Sequence, residues 1–301
     1  MTFIASPSVR AYAATKGVDL PTLASATGRQ KLARDDVDFH LENKEKQGAK
    51  SAHAADDHMR FWDVDHSGYG PVTIEPMSRI AQVAAANLGA ANALIPQVTH
   101  HDRADMQAVE NMRKDLRDEA TGRGIKLTAL AFHVKVLSRC LRDFPRFNSS
   151  LGSDGKQLIL KSFFHIGIAI DTPYGLMVPV IRNADRKGLW QIAQEIADFA
   201  KRGQSRKIRP EEMGGASMSI SNLGGIGGMA FTPIVNPPEV AILGLTRTEL
   251  VPVWDGTSWL PVPMVPLDLS YDHRVVNGAD AARFLARYAK LLGDLRHLLD
   301  P

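Results

Sequence analysis

The chain has 301 residues and a single cysteine, Cys140, so no disulfide can form within it, which fits a reducing compartment. That thiol lies in the apolar run from Leu127 to Leu141, where a packed side chain is expected rather than a nucleophile. No uninterrupted apolar stretch reaches the roughly 20 residues needed to span a bilayer, and the first ten residues lack the apolar core of a secretion signal. The expected setting is the cytoplasm, or the mitochondrial matrix in a eukaryote, with no membrane contact. Aromatic residues are few (7%), the net charge is only +3, and no block of Lys and Arg occurs, which argues against nucleic acid as a partner. Zinc chemistry lacks its usual carriers, since there is neither a cysteine pair nor an H-E-x-x-H helix. His100, His101 and Asp102 are adjacent, and on a strand the two imidazoles would point to opposite faces, so no metal site is expected.

What remains is ordinary globular composition, 44% hydrophobic and 23% charged, arranged in three parts. Residues 1–41 read as a miniature helical unit. Ser6 caps a helix with Pro7 in its first position, Val9, Tyr12 and Ala13 share a face, and Gly17 closes it. A turn through Leu20 and Pro21 is expected next, then a second helix from Asp35 to Leu41. Some 40 residues is near the floor for an independent core, so such a unit exists to bind or tether something. Residues 42–61 are polar, rich in small residues and without apolar period, as in a flexible linker. From Trp62 to Pro301, strand-like runs alternate with amphipathic helices without a regular βαβ repeat. Strands are expected at 72–76, 97–102, 163–171, 178–182, 217–221, 241–245 and 265–271. Helices are expected at 79–88, 105–120, 128–142, 189–201 and 279–299. This is an α/β pattern, an α+β layered domain.

Two stretches carry chemistry. The first is LDLSYDHRVVNGADAARF, Leu267 to Phe284, where an apolar strand ends at Tyr271 and delivers Asp272, His273 and Arg274 to a turn. An imidazole there suits general-base work because histidine titrates near neutrality, although most turn histidines are bystanders. The second is SMSISNLGGIGGMAFTPIVNPPEVAILGL, Ser217 to Leu245, whose strand brings Ser219, Ser221 and Asn222 to a glycine-rich bend. A hydroxyl before such a bend can donate to a developing oxyanion, and the plain alternative is a structural loop. Alternation places Ser219 on the face of Ser221, where it would serve as a bystander control. The bend lacks the Lys-Ser/Thr of a phosphate loop, and G-x-S-x-G is absent.

These motifs, with PRFNSSL (Pro145 to Leu151) and IDTPYGLMVPVIR (Ile170 to Arg182), resemble the dihydrolipoyl acyltransferases of 2-oxo acid dehydrogenase complexes, in order and spacing from Tyr69 onward. The N-terminal ASPSVRAYAATKGVDL resembles that family's peripheral-subunit-binding domain. The resemblance implies a chloramphenicol-acetyltransferase-like domain forming homotrimers, and in some members a 24-subunit cube. It implies that His273 takes the thiol proton of coenzyme A, that Ser221 of a neighbouring chain donates to the oxyanion, and that Asn277 supports the site. Arg274 is expected to pair with Asp171, Arg113 to contact a coenzyme A phosphate, and Arg10 to hold a partner enzyme. The implied partners are the 2-oxo acid dehydrogenase and dihydrolipoyl dehydrogenase components and a lipoyl domain. No tightly bound cofactor is implied, coenzyme A and lipoamide being substrates, and the loop wording points to acetyl as the acyl group.

Two departures qualify that picture. No Asp-Lys pair of a lipoyl hairpin occurs, so the lipoyl group is expected in trans or from a missing domain. In the N-terminal unit a second basic residue is replaced by Ala14, and TGRQKLARDDV is shortened and lacks G-R-I. The rival readings are a non-catalytic scaffold subunit, which would not need His273, Ser221 and Arg274, and a free-standing acetyltransferase for small molecules, which would not need the N-terminal unit.

Overall fold

A computed structural model describes residues 3–27, 31–41 and 62–297 of the chain. They fall into two compact units, Met1–Glu75 and Pro76–Pro301. The expected linker, 42–61, and part of the shortened loop, 28–30, lie outside the described residues.

In the first unit, β1 (Ile4–Ala5) pairs in parallel with β2 (Lys31–Leu32) beside α1 (Pro7–Thr15), α2 (Leu20–Thr27) and α3 (residues 34–41). The Ser6 hydroxyl accepts from the Val9 N–H, and Gly17 leaves the helix at φ 65°, as the capping pattern required. Val9, Ala13, Leu20, Leu23, Leu32 and Val37 form its small core. The turn expected at Leu20-Pro21 is instead the first turn of α2. The Asp19 carboxylate accepts from the Thr22 N–H at 3.1 Å, and a proline so early in a helix gives up no hydrogen bond. Further on, the run 72–76 forms no strand. Prolines stand at 71 and 76, nothing among the described residues pairs with it, and Ile74 is almost fully exposed.

The second unit opens with α4 (Arg79–Leu94), which leads into β3 (Gln97–Asp105). The expected charged helix 105–120 is broken at Leu116 into α5 (Gln107–Asp115) and α6 (Arg117–Gly122). Next come α7 (Ala129–Asp143), the small hairpin β4 (Ser149–Leu151) and β5 (Leu158–Leu160), then β6 (Ile166–Ala169) and β7 (Val180–Ile181). The chain continues through α8 (Leu189–Gln204), β8 (Met218–Asn222), β9 (Ala241–Leu245), β10 (Glu249–Trp254) and β11 (Trp259–Asp272). The last helix, α9 (Gly278–Gly293), stops at its glycine rather than running to Leu299.

Seven strands make one mixed sheet in the order β10-β11-β9-β8-β6-β7, with β3 on β11. β6, β8 and β9 run parallel, and their neighbours on either side run antiparallel. Register assigns the faces. Ile168, Ile220, Leu243 and Leu269 lie in one row, and with Ile166, Met218, Leu245 and Leu267 they are buried against α7, α8 and α9. This apolar layer is the core, and the Cys140 thiol is sealed in it, its pKa pushed up to about 12 by burial. His133 of α7 is buried there too, its Nδ1 2.7 Å from the Tyr288 hydroxyl of α9. The opposite face is polar, with Ser219, Ser221, Ser270, Thr99, Asp268 and His101. At the far end of the sheet the β10–β11 hairpin carries the cross-strand pair Trp254 and Trp259, ring centroids 5.4 Å apart and both exposed. No helix among the described residues is long and apolar enough to cross a membrane.

Candidate active site

The histidine turn is held by four backbone hydrogen bonds. At the end of β11 the Asp272 N–H donates to the Val240 carbonyl at 2.8 Å, and the His273 N–H donates to the Pro96 carbonyl at 3.1 Å. The N–H groups of Val275 and Val276 both return to the Asp272 carbonyl, and these two valines are buried. The result is a rigid turn that leaves the His273 ring exposed, its centroid 5.6 Å from that of Tyr271.

Arg274 corrects the expected pairing with Asp171. Its Nη2 lies 2.6 Å from the Asp272 carboxylate, its Nε 2.9 Å away, and its own N–H closes on the same group at 3.0 Å. Two residues along one turn meet more readily than residues from separate elements, so Asp272 is the guanidinium's partner. The pair raises the Arg274 pKa through the Asp272 hydrogen bonds and keeps a nearly buried carboxylate compensated. Asp171 instead offers its carbonyl to the Gln204 amide. Asn277 stands at the N-cap of α9 without using its side chain there, so its exposed amide is left for other contacts.

Ser221 stands near the end of β8, half-buried on the polar face. Beyond it Asn222 accepts from the Gly224 N–H at 2.9 Å and turns the chain into the glycine bend. A Cβ on Gly224 would press on that same Asn222 oxygen and on the Thr246 carbonyl, so any larger residue would have to push these neighbours aside. Ser219 is not the bystander that alternation suggested. It is buried, and its hydroxyl donates to the Glu239 carboxylate at 2.9 Å; Gly167 of β6 lacks a side chain where that hydroxyl sits.

Strand register separates Ser221 from His273 within one chain. Ser221 lies opposite Gly244 of β9, which lies opposite Asp268 of β11, five residues before His273. Five residues along a strand and two strand spacings amount to about 19 Å. One chain therefore presents a base at one end of its sheet and a hydroxyl donor at the other, too far apart to act on one carbonyl.

The other expected residues lie elsewhere. Arg113 of α5 borders a cavity of about 450 Å³ with Lys114 and Arg117, but Glu110 holds its guanidinium at 2.7 and 2.9 Å. Arg10 donates to the Ala5 carbonyl at 3.1 Å on the exposed side of α1. His101 was read only as one of two diverging imidazoles. It does lie on the polar face, and there its Nδ1 is 2.6 Å from the buried Asp268. The sequence signal for both Asp268 and Glu239 was a carboxylate inside an apolar strand-like run, which only a partner can make tolerable.

Comparison with known proteins shows the family. The chain is 44% identical over 298 residues to the dihydrolipoyllysine-residue acetyltransferase component of the pyruvate dehydrogenase complex of Pseudomonas aeruginosa, covering 98% of this chain and 54% of that protein. It spans about half the length of the curated relatives it matches. A solved structure of the Azotobacter vinelandii dihydrolipoamide acetyltransferase superposes with a TM-score of 0.77 at 48% identity, over 79% of this chain and 98% of that one. That work addressed a serine, a histidine and an asparagine in the catalytic mechanism, spaced along their chain as Ser221, His273 and Asn277 are here. The cubic core of the pyruvate dehydrogenase multienzyme complex matches equally well, with a TM-score of 0.77 and 48% identity over 79% of this chain and 98% of that one. Residues 69–299 match the model of the 2-oxoacid dehydrogenases acyltransferase catalytic domain, and the chain belongs to that family.

Proposed function

We propose that this chain transfers an acetyl group between S-acetyl-dihydrolipoamide and coenzyme A, as a core subunit of a pyruvate dehydrogenase-type complex. In this reading each site is completed by two copies. The observation that carries it is the separation of Ser221 from His273 in a fold that otherwise keeps both in rigid, motif-matched surroundings. Closed cyclic assembly solves that geometry, because a neighbour can bring its own His273 to each Ser221. The cubic-core relative supports a symmetric assembly of such subunits.

The chemistry then follows. A thiol with a pKa near ~8.5 is mostly protonated at neutral pH, so the His273 imidazole takes its proton as the sulfur approaches the thioester carbon. The thiolate adds to that carbon, and negative charge moves to the carbonyl oxygen. A hydroxyl donor at Ser221, fixed by the strand, contributes on the order of 3 kcal/mol as this charge develops. Collapse breaks the carbon–sulfur bond to dihydrolipoamide, and the departing thiolate recovers the proton from the imidazolium. The Asp272–Arg274 pair fixes the turn, and the exposed Asn277 amide is placed to orient a reactant. The cationic α5–α6 cavity with Arg113 is the proposed contact for coenzyme A phosphates. The N-terminal unit is the proposed dock for the dehydrogenase components, and a lipoyl domain the acetyl donor.

The test is acetyl transfer from acetyl-coenzyme A to free dihydrolipoamide by the purified chain. His273→Ala should lower turnover by ~100-fold or more with the particle mass unchanged. A variant that retains most of its rate would remove His273 from the mechanism.

A further inference from the structure

Three consecutive residues, Pro238, Glu239 and Val240, tie together parts of the fold that are distant in sequence. The Pro238 carbonyl accepts from the Ser150 hydroxyl of β4 at 2.6 Å. Glu239 Oε1 accepts from the Ser219 hydroxyl of β8 at 2.9 Å and from the Asn236 amide at 3.1 Å. The Val240 carbonyl accepts from the Asp272 N–H, the first residue of the histidine turn. Glu239 is only 5% exposed, and its Oε2 is buried with no hydrogen-bond partner among the described residues. A carboxyl in that position is expensive for the fold, and a methylene or amide would fill the space more cheaply.

We propose that Glu239 is a positioning residue that serves two active sites at once. Through Ser219 it sets the strand that presents Ser221, two residues on and on the same face. By holding the main chain at its neighbour Val240, whose carbonyl takes the Asp272 N–H, it sets the turn that presents His273. The proposal rests on the shared-site reading above: because Ser221 and His273 of one chain are about 19 Å apart, they belong to different sites. Glu239 therefore stands between one site and the next around the ring. The groups that face it are consistent with a neutral or hydrogen-bonded carboxyl. Burial pushes its pKa up to about 7, against the opposing pull of the Ser219 and Asn236 hydrogen bonds and of Lys161. Lys161 itself donates to the Ala216 carbonyl, while Asp272 and Arg274, which line one cavity with Glu239, are engaged with each other.

The experiment uses assembled protein, formed by co-expressing differently tagged chains. Glu239→Ala should lower kcat about tenfold or more while KM for both substrates stays within about twofold, because it misplaces groups that act in the transition state. Glu239→Gln, whose amide oxygen can still accept from Ser219, should keep at least about half of the rate. That rescue, with KM unchanged, is the readout that a merely structural role would not give, and mixing tells whether the residue acts on one of its chain's sites or on both. A site needs intact Glu239 in both chains that build it, so activity of wild-type/Glu239→Ala mixtures should follow the square of the wild-type fraction, about a quarter at equal parts. Wild-type mixtures with Ser221→Ala or His273→Ala should fall linearly, to about half. Ser219→Ala loses one hydroxyl and cuts only the tie to β8, so it should lower kcat with a linear mixing curve. A linear curve for Glu239→Ala, an unaltered kcat in Ser219→Ala, or a Gln variant as impaired as the Ala variant would each overturn the proposal. A wild-type chain that transfers no acetyl would sink the transferase reading itself, so the two failures are told apart.

Discussion

Two dead variants should make a living enzyme. Ser221→Ala keeps His273, and His273→Ala keeps Ser221; each alone should be ~100-fold or more down in turnover. If both groups acted within one chain, mixing the variants would change nothing, since every chain would lack one of them. Register excludes that geometry, because Ser221 stands level with Asp268 and His273 lies five residues further on, just past the end of β11. In the proposed ring each site would take its serine from one chain and its histidine from the next. At equal parts, the chance that a serine-bearing chain is followed by a histidine-bearing one is one half squared, so about a quarter of wild-type activity should return. The assay is acetyl transfer by doubly tagged particles isolated after co-expression, normalised to particle mass. Separately expressed variants combined after assembly should stay inactive, which controls for contamination. Co-expressed particles that remain at the level of either parent would refute the shared site and return both residues to a single chain.

Other outcomes follow from the same structure. Ser221→Ala should act on kcat far more than on KM, because its hydrogen bond strengthens only as the oxyanion forms; a loss carried by KM would make it a substrate-positioning group. Arg274→Lys should cost about tenfold in turnover by loosening the multidentate hold on Asp272, whereas Asp171→Asn should stay within about twofold, and equal effects would restore the pairing with Asp171. Arg10→Ala in the full chain should weaken binding of a dehydrogenase component about tenfold and reduce its salt dependence, as read by titration at two ionic strengths; unchanged affinity would remove Arg10 from that surface. His133 is fully buried and its pKa is pushed down to about 4, while an unfolded histidine titrates near 6.5. The unfolded chain therefore binds the extra proton between those values, so stability is lost as pH falls through that window, by roughly 3 kcal/mol in all. Urea denaturation of wild type and His133→Leu from pH 6.5 to 4 should show the shallower slope in the variant.

The second unit was largely legible because its strands and helices carry their own signals. Apolar alternation at 217–221 and 265–271, and the stripe of Leu285, Tyr288 and Leu292, mark elements whose burial the sheet and α9 confirm. Failures came where a partner decides, either a missing neighbouring strand or a local cap. The run 72–76 has strand residues but no strand to join, and α2 begins where Leu20-Pro21 suggested only a turn because Asp19 supplies a cap. At the site, Ser221 and the histidine turn could be located from motif order, but not that Arg274 grips its own turn or that Ser219 is spoken for by Glu239. The first depends on which carboxylate a two-residue turn brings to the guanidinium, and the second on two side chains meeting across 20 residues, information that neither periodicity nor spacing contains.

The Trp254–Trp259 pair gives the molecule an optical handle that needs no label. The chain has four tryptophans, and two of them stand side by side in water at the end of one hairpin. Indoles in that position emit at long wavelength and are open to aqueous quenchers, and covering an indole's apolar body shifts its emission towards the blue. Whatever packs over the β10–β11 hairpin, whether a second copy or another protein, must therefore announce itself in the emission spectrum. Replacing both tryptophans with phenylalanine would silence that signal while keeping an aromatic pair across the hairpin.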